Sequence, residues 1–297
     1  MMNGKVIGGL LRETAVGFSK RNGSTLAAAI AYQTLFSIAP LLVIAVAVAG
    51  WVFGEQAVAG ELVSQIEGVV GPETAVLIQN LISSASQGSS GTIATFISVI
   101  IMFFGASGLF GQIKVALNQI WDVAPPPTET GLQGVIQAVK SKLLAFLLVI
   151  LIGVLLLVLL AVTTVLSALG GYLSGWWVGG LLPVLNNVVL IGATAVLFAI
   201  IFRILPDAEV AWRDVGLGAL VTAVLFGLGE YLIGLYLSRT SAGSTYGAAG
   251  SLVVALLWVY YSAQIFLFGA EFTQVYANKF GSRVVSEAEE TAVPPIH

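Results

Sequence analysis

The side chains able to do chemistry in this sequence are few, and most sit where a polar group is costly. Glu230 lies in VLFGLGEYLIGLYLSR, seven residues before an apolar run ends at Leu237. A carboxylate at bilayer depth costs at least ~2.5 kcal/mol on insertion scales, so it persists where it faces protein or a wet cavity and can carry a proton. Gln33 and Ser37 share a face of another apolar run, one turn apart. Gln112 occupies a third, and Tyr260, Gln264 and Glu271 follow at steps of four and seven in the last. Lys114 falls at the same expected depth as Glu271, which makes the two a candidate ion pair. Together these eight residues are the candidate lining of a polar cavity or transport path. The plain alternative is that they are interhelical hydrogen-bonding groups, each contributing about 0.6 kcal/mol.

Other chemistries lack their ingredients. The single histidine is the last residue, His297, and there is no cysteine, so zinc sites and His-assisted nucleophiles are excluded. Asp207, Glu209 and Asp214 in RILPDAEVAWRD form the nearest carboxylate cluster, but Arg203 and Arg213 flank them, and a salt-bridged loop is the expected account. No phosphate-cradling loop of the Walker type is present. The chain is therefore expected not to be an enzyme and to use no cofactor or metal. A pI near 5.2 without a basic cluster argues against a nucleic-acid partner.

The elements that must position these residues are long apolar helices. Of 297 residues 58% are hydrophobic and 9% charged; the mean hydropathy is +0.98, where soluble domains carry roughly 25% charge. Apolar runs near 26–52, 92–113, 143–167, 184–202, 215–237 and 248–271 are each long enough to cross a core of ~30 Å. The expected fold is all-α: a polytopic membrane protein of six transmembrane helices with short amphipathic interfacial helices. Six spans place eleven of the 12 Lys and Arg residues on one side and Arg239 alone on the other, so both termini are expected in the cytoplasm.

Three parts follow: an amphipathic cytoplasmic segment over 1–24, a six-helix domain over 25–280 and a disordered cytoplasmic tail over 281–297. In the first, Ile7, Leu11, Ala15 and Phe18 recur at helical spacing, as in a helix lying on the membrane surface. The outer connection 53–91 reads as two amphipathic helices parted by Gly71-Pro72. In the fifth span Gly216, Ala219, Ala223, Gly227, Glu230 and Gly234 form one stripe of small residues, expected to be a helix-packing face that also carries Glu230.

Several runs occur together in a familiar order: AAAIAYQTLFSIAPLL, LNQIWDV, RILPDAEVAWRDVGLGAL and YGAAGSLVVALLWVYYSAQIFLFGAE. Over about residues 20–280 the chain resembles the YihY/BrkB family of bacterial inner-membrane proteins, formerly labelled ribonuclease BN. The resemblance implies a six-helix inner-membrane protein linked in some members to envelope and lipid homeostasis. By position, Tyr32, Ser37, Pro40, Asn118, Trp121, Pro206, Gly218, Tyr236, Tyr246, Gly247, Trp258, Tyr260, Gly269 and Glu271 match its motifs, whereas Glu230 departs from them. The functional expectation is a transporter or a lipid- or amphiphile-handling protein of the envelope, with membrane lipids and envelope proteins as partners. The alternatives are a membrane scaffold of an envelope complex and, from the old family label, a ribonuclease.

Overall fold

The computed structural model describes residues 4–53, 108–123, 182–208, 210–239 and 250–281, with scattered helical positions at 60, 76, 79–80 and from 136 to 165. Every regular element among the described residues is helical. Five are complete: α1 (Gly4–Lys20), α2 (Gly23–Phe53), α3 (Leu182–Ile204), α4 (Trp212–Arg239) and α5 (Gly250–Phe280). A further helical segment occupies 108–120. Three stretches are long and apolar enough to cross a membrane: Val184–Ile204, Trp212–Tyr236 and Leu252–Phe280. α2, with 31 residues, continues through Pro40. Most of the expected runs 92–113 and 143–167, the outer connection 53–91 and the tail 281–297 lie outside the described residues.

The helix ends are set by local chemistry. Asn22, at φ 54°, takes the left-handed conformation that ends α1, and its carbonyl accepts from the Leu26 amide as α2 begins. Asp122, at φ 53°, does the same after segment 108–120, where the Val123 amide reaches back to the Asn118 carbonyl at 2.9 Å in a Schellman-type closure. α3 stops at Ile204, because Leu205 precedes Pro206 and is pushed out of the helical region. Asp214 lies in the first turn of α4, where a carboxylate meets the positive end of the helix dipole.

Apolar side chains face outward over much of the surface. On α4, Leu217, Leu220, Val224, Leu228, Tyr231 and Leu235 are exposed at steps of three and four. In the third apolar run the helical positions Leu147, Leu151, Val154, Val158, Val162 and Val165 are exposed with the same period. Such stripes suit acyl chains and not water. Inside, Phe198 and Phe202 of α3 meet Phe266 of α5 with ring centroids 5.7 and 5.1 Å apart, and Phe226 of α4 closes the group at 5.4 Å from Phe198. Lipid gives no hydrophobic drive for association, so this cohesion has to come from close packing.

Among the described residues α4 and α5 pack closely along an antiparallel seam. A Cβ on Gly218 would fall 1.9 Å from Thr273 Oγ1, and one on Gly269 would fall 2.0 Å from Thr222 Oγ1. The two helices thus exchange the same device, a glycine followed four residues later by a threonine. Each threonine hydroxyl donates to the carbonyl of the glycine on its own helix, Thr222 to Gly218 at 2.7 Å and Thr273 to Gly269 at 2.8 Å. The hydroxyls are satisfied locally, and both threonines are fully buried. Further along, a Cβ on Gly229 would meet Ile265 Cδ1 at 2.2 Å.

This seam corrects the expected packing stripe. Ala219 and Ala223 are buried, but Gly216 and Gly227 are exposed and a Cβ on either would meet nothing within 4 Å among the described residues. The contact line runs through Gly218, Thr222 and Gly229, turned by part of a helical turn from the stripe of smallest residues. A second close approach joins α2 to segment 108–120, where a Cβ on Gly108 would fall 2.2 Å from Gln33 Nε2.

Candidate functional site

The charged groups gather where α1 meets the ends of the long helices. α1 turns Leu10 and Thr14 inward, both fully buried, while Ile7 and Leu11 of the predicted apolar stripe are exposed. Gly17 lies against Glu271, and a Cβ there would sit 1.9 Å from Glu271 Oε1. Glycine at 17 is therefore what lets the carboxylate approach α1. Phe18 closes the corner, edge-on to Phe268 at 5.9 Å.

Arg21, between α1 and α2, is the hub. Its Nη1 donates in a short hydrogen bond to Glu271 Oε1, while Nη2 and Nε grip Asp122 at 2.5 and 3.2 Å in a two-toothed pair. Gln119 Nε2 donates to the Arg21 carbonyl at 3.0 Å. Burial works against the guanidinium charge, but the hydrogen bond to Asp122 and the fields of Glu271 and Asp122 outweigh it, so the Arg21 pKa is raised and the group stays cationic. Glu271 is fully buried, and its second oxygen, Oε2, has no hydrogen-bond partner among the described residues.

Lys114 does not pair with Glu271, as the shared depth had suggested. It donates to Asp207 Oδ1 at 2.7 Å. Asn118, one turn further, donates to Asp207 Oδ2 at 2.9 Å, and its own Oδ1 accepts from the Asp207 amide at 2.9 Å. Lys114 and Asn118 share a helix face directed at the turn after α3, whereas Glu271 faces Arg21. Depth could be read from the sequence; direction around the helix axis could not. Asp207 is thus salt-bridged, with Lys114 as its partner instead of the neighbouring arginines. Asp214 is buried against the end of α5, where a Cβ on Gly281 would meet its Oδ2 at 2.2 Å. Glu209 lies outside the described residues, and among those described no three His, Cys, Asp or Glu side chains could hold a metal ion.

The remaining candidate residues fall into separate places. Gln33 Nε2 donates weakly to Ser37 Oγ at 3.4 Å, beside Gly108; Ser37 is fully buried, and Gln112 is half-buried one turn beyond Gly108. Tyr260 packs on the core, its ring 5.6 Å from that of Tyr261. Glu230 is half-buried and forms no ion pair among the described residues. In the register of the α4–α5 seam, Glu271 lies opposite position 220, which puts Glu230 about 15 Å further along the helix. The two carboxylates belong to different sites.

Among the described residues, cavities of two kinds border α1. One of about 670 Å³ is walled by Gly9, Arg12, Glu13, Val16, Gly17 and Lys20, one continuous face of α1, and by Glu271, Gln274 and Val275 of α5, with Arg21 and Asp122 at its end. The other, about 370 Å³ and largely apolar, lies between α4 and α5 and is walled by Phe18, Leu228, Tyr261, Gln264, Ile265 and Phe268 among others. Arg21 and Asp122 escaped the sequence reading as site residues, whereas Asn118 entered it only as a family-motif match and Asp207 only as part of the carboxylate cluster. The available signal was the pairing of two left-handed helix stops, Arg21-Asn22 and Trp121-Asp122, each carrying a charge of opposite sign.

The chain is 28% identical over 264 residues to a UPF0761 membrane protein of Psychrobacter sp. (strain PRwf-1), covering 88% of this chain and 47% of that protein. It is 26% identical over 254 residues to a UPF0761 membrane protein of Pseudomonas paraeruginosa (strain DSM 24068 / PA7), covering 82% and 57%. With a UPF0761 membrane protein of Rhodospirillum centenum (strain ATCC 51521 / SW) the identity is 27% over 273 residues, covering 89% and 56%. The chain thus spans about half the length of the curated relatives it matches. No solved structure matches it. The family model described as virulence factor BrkB matches residues 14–294, and the protein belongs to that family of membrane proteins.

Proposed function

We propose that this protein is a multi-pass inner-membrane protein that handles lipids or other amphiphiles. The observation that carries this is that one interfacial helix, α1, borders both a charged cavity and an apolar one. An amphiphile needs both kinds of space, and an ion needs neither in this form: no ring of like charge or selectivity signature occurs in the sequence. In this reading six helices span the bilayer and the α1 end is cytoplasmic. That places Arg12, Lys20 and Arg21 at the headgroup level of the inner leaflet and the apolar cavity at acyl depth. The exposed apolar stripes on α4 and in the third run are the lipid-facing surfaces of the same assembly.

The experiment is reconstitution of the purified chain into vesicles carrying a headgroup-labelled phospholipid. Transbilayer movement well above that of protein-free vesicles is expected. Movement at the protein-free rate would overturn the reading in favour of a membrane scaffold, a role the interlocked Gly218–Thr273 and Gly269–Thr222 contacts would also suit. A ribonuclease would need a divalent-metal cluster, and the ion pair held by Asp207 is better explained as a brace.

A further inference from the structure

We propose that Glu230, Thr194 and Ser262 form an intramembrane site for one monovalent cation, a proton or an alkali ion, between α3, α4 and α5. The binding claim stands apart from the amphiphile-handling reading; that the cation drives lipid movement rests on that reading and deepens it.

The aromatic cluster fixes the register. Phe198 of α3 meets Phe226 of α4 at 5.4 Å and Phe266 of α5 at 5.7 Å. α4 runs antiparallel to both neighbours. One turn beyond these rings, toward the end away from α1 and on the same helix faces, come Thr194, Glu230 and Ser262. A carboxyl and two hydroxyls, one from each helix, are therefore level over the aromatic floor, and each residue is half-buried. All three lie in stretches able to cross a membrane, Thr194 and Ser262 about 15 Å inside the far ends of theirs. Near the bilayer midplane is where secondary transporters hold their coupling ions.

This layer is short of a positive charge and of hydrogen-bond partners. Glu230 is the one charged residue of α4 between Val215 and Ser238; none occurs on α3 between Leu182 and Phe202, on α5 between Gly250 and Ala270, or on α2. The titratable neighbours on α4 and α5 are the phenols of Tyr231, Tyr260 and Tyr261. The Ser262 hydroxyl is not taken up by its own helix. Thr14, Thr34, Thr222 and Thr273 each donate to a carbonyl one turn back, whereas Ser262 Oγ is buried with no partner among the described residues. Trp258, one turn further along the Ser262 face, likewise holds its indole Nε1 buried without an acceptor. A carboxyl with no cation beside orphaned polar groups is an incomplete set, the mark of a missing ion or water. Carboxylate and hydroxyl oxygens are the donors that a hard cation takes, and a proton on Glu230 balances the same charge. The approach is open on one side: Gly227, three residues before Glu230, is exposed, and a Cβ there would meet nothing within 4 Å.

The test uses the purified full chain in detergent as wild type, Glu230→Gln and Ser262→Ala. One arm titrates sodium chloride into protein held in choline chloride of equal ionic strength and reads the heat. The other compares infrared spectra in acid and alkaline buffer for the C=O stretch of a protonated carboxylic acid. An alkali-ion site gives saturable sodium binding, weakened at least about tenfold in Glu230→Gln and about tenfold in Ser262→Ala. A proton site gives a titrating C=O band that Glu230→Gln removes, with the bands of other carboxyl groups kept, and whose midpoint Ser262→Ala displaces. In both cases Ser262→Ala should melt in choline buffer as the wild type does.

No sodium heat together with no band lost in Glu230→Gln would overturn the proposal. So would a Ser262→Ala variant identical to the wild type in both arms, which would leave Glu230 a lone carboxyl. Should Glu230→Gln fail to fold, the change in sodium affinity or band midpoint in Ser262→Ala decides the matter. Lipid movement in vesicles under an imposed sodium or proton gradient is a separate readout. Cation binding without any lipid movement sinks the handling reading and leaves the site standing.

Discussion

The α4–α5 seam and the α1 corner hold helices together by opposite means. In the seam, Thr222 and Thr273 each donate the hydroxyl proton back to their own helix, so what meets the glycine backbone of the other helix is a threonine side chain, Oγ1 foremost, that is already satisfied as a donor. At the corner a fully buried carboxylate, Glu271, meets the guanidinium of Arg21 over Gly17, and Asp122 and Gln119 supply the rest of the cage. Both need a glycine where the approach is closest. In the seam the penalty of a wrong residue is steric and local. At the corner it is electrostatic, because removing Arg21 leaves the fully buried Glu271 carboxylate uncompensated.

The largest effect should come from breaking the corner. Arg21→Ala strands the Glu271 carboxylate, which is fully buried, and is expected to destabilise by about 3–5 kcal/mol. Thermal unfolding in detergent measures this, and Arg21→Ala with Glu271→Leu should recover much of the loss, since an apolar pair needs no compensation. If the double variant is no more stable than the single one, the corner is held by packing and the contrast with the seam disappears.

Steric changes in the seam come next. Gly269→Ala and Gly218→Ala each place a methyl group inside a buried threonine and should cost about 1–3 kcal/mol. Gly229→Ala meets only the terminal carbon of Ile265, which can rotate away, so its cost should be below about 1 kcal/mol. Equal costs at the three positions would mean that the helices slide to accommodate a methyl group. Between these lies Asn118→Ala, which removes two of the three hydrogen bonds that hold Asp207 in the turn after α3. A loss of about 1–2 kcal/mol is expected in unfolding.

The two regions were not equally legible in the sequence. Apolar runs, the amphipathic first helix and the membrane class are local or compositional signals, and they survive in the described helices α1 to α5. The contacts between helices are set by rotation about each axis, which a run without strong periodicity does not encode. Hence Lys114 and Glu271, alike in depth, face different partners, and the small-residue stripe through Gly216 and Gly227 points away from the seam. Thr222 and Thr273 were overlooked because a hydroxyl reads as polar, although a threonine whose hydroxyl donates to its own helix can be buried against the glycine of another. Arg21 counted only as one more positive charge near a span. Its role depends on Asp122, about a hundred residues away in sequence, arriving in a left-handed turn beside it.

The smallest effect sharpens the comparison most cleanly. Lys279 and Glu13 also join α5 to α1, at 2.6 Å, yet their side chains are 44% and 51% exposed. Water and salt screen such a pair, and its worth after that discount is about 0.2–1 kcal/mol at low ionic strength. A double-mutant cycle with Lys279→Ala and Glu13→Ala should show a coupling of that size that fades between low and high salt. The Arg21–Glu271 coupling, measured the same way, should keep most of its magnitude, because ions cannot enter a site whose carboxylate is fully buried. Equal salt sensitivity in the two cycles would place Glu271 in contact with bulk solvent, and the corner would then be one more surface ion pair between the same two helices.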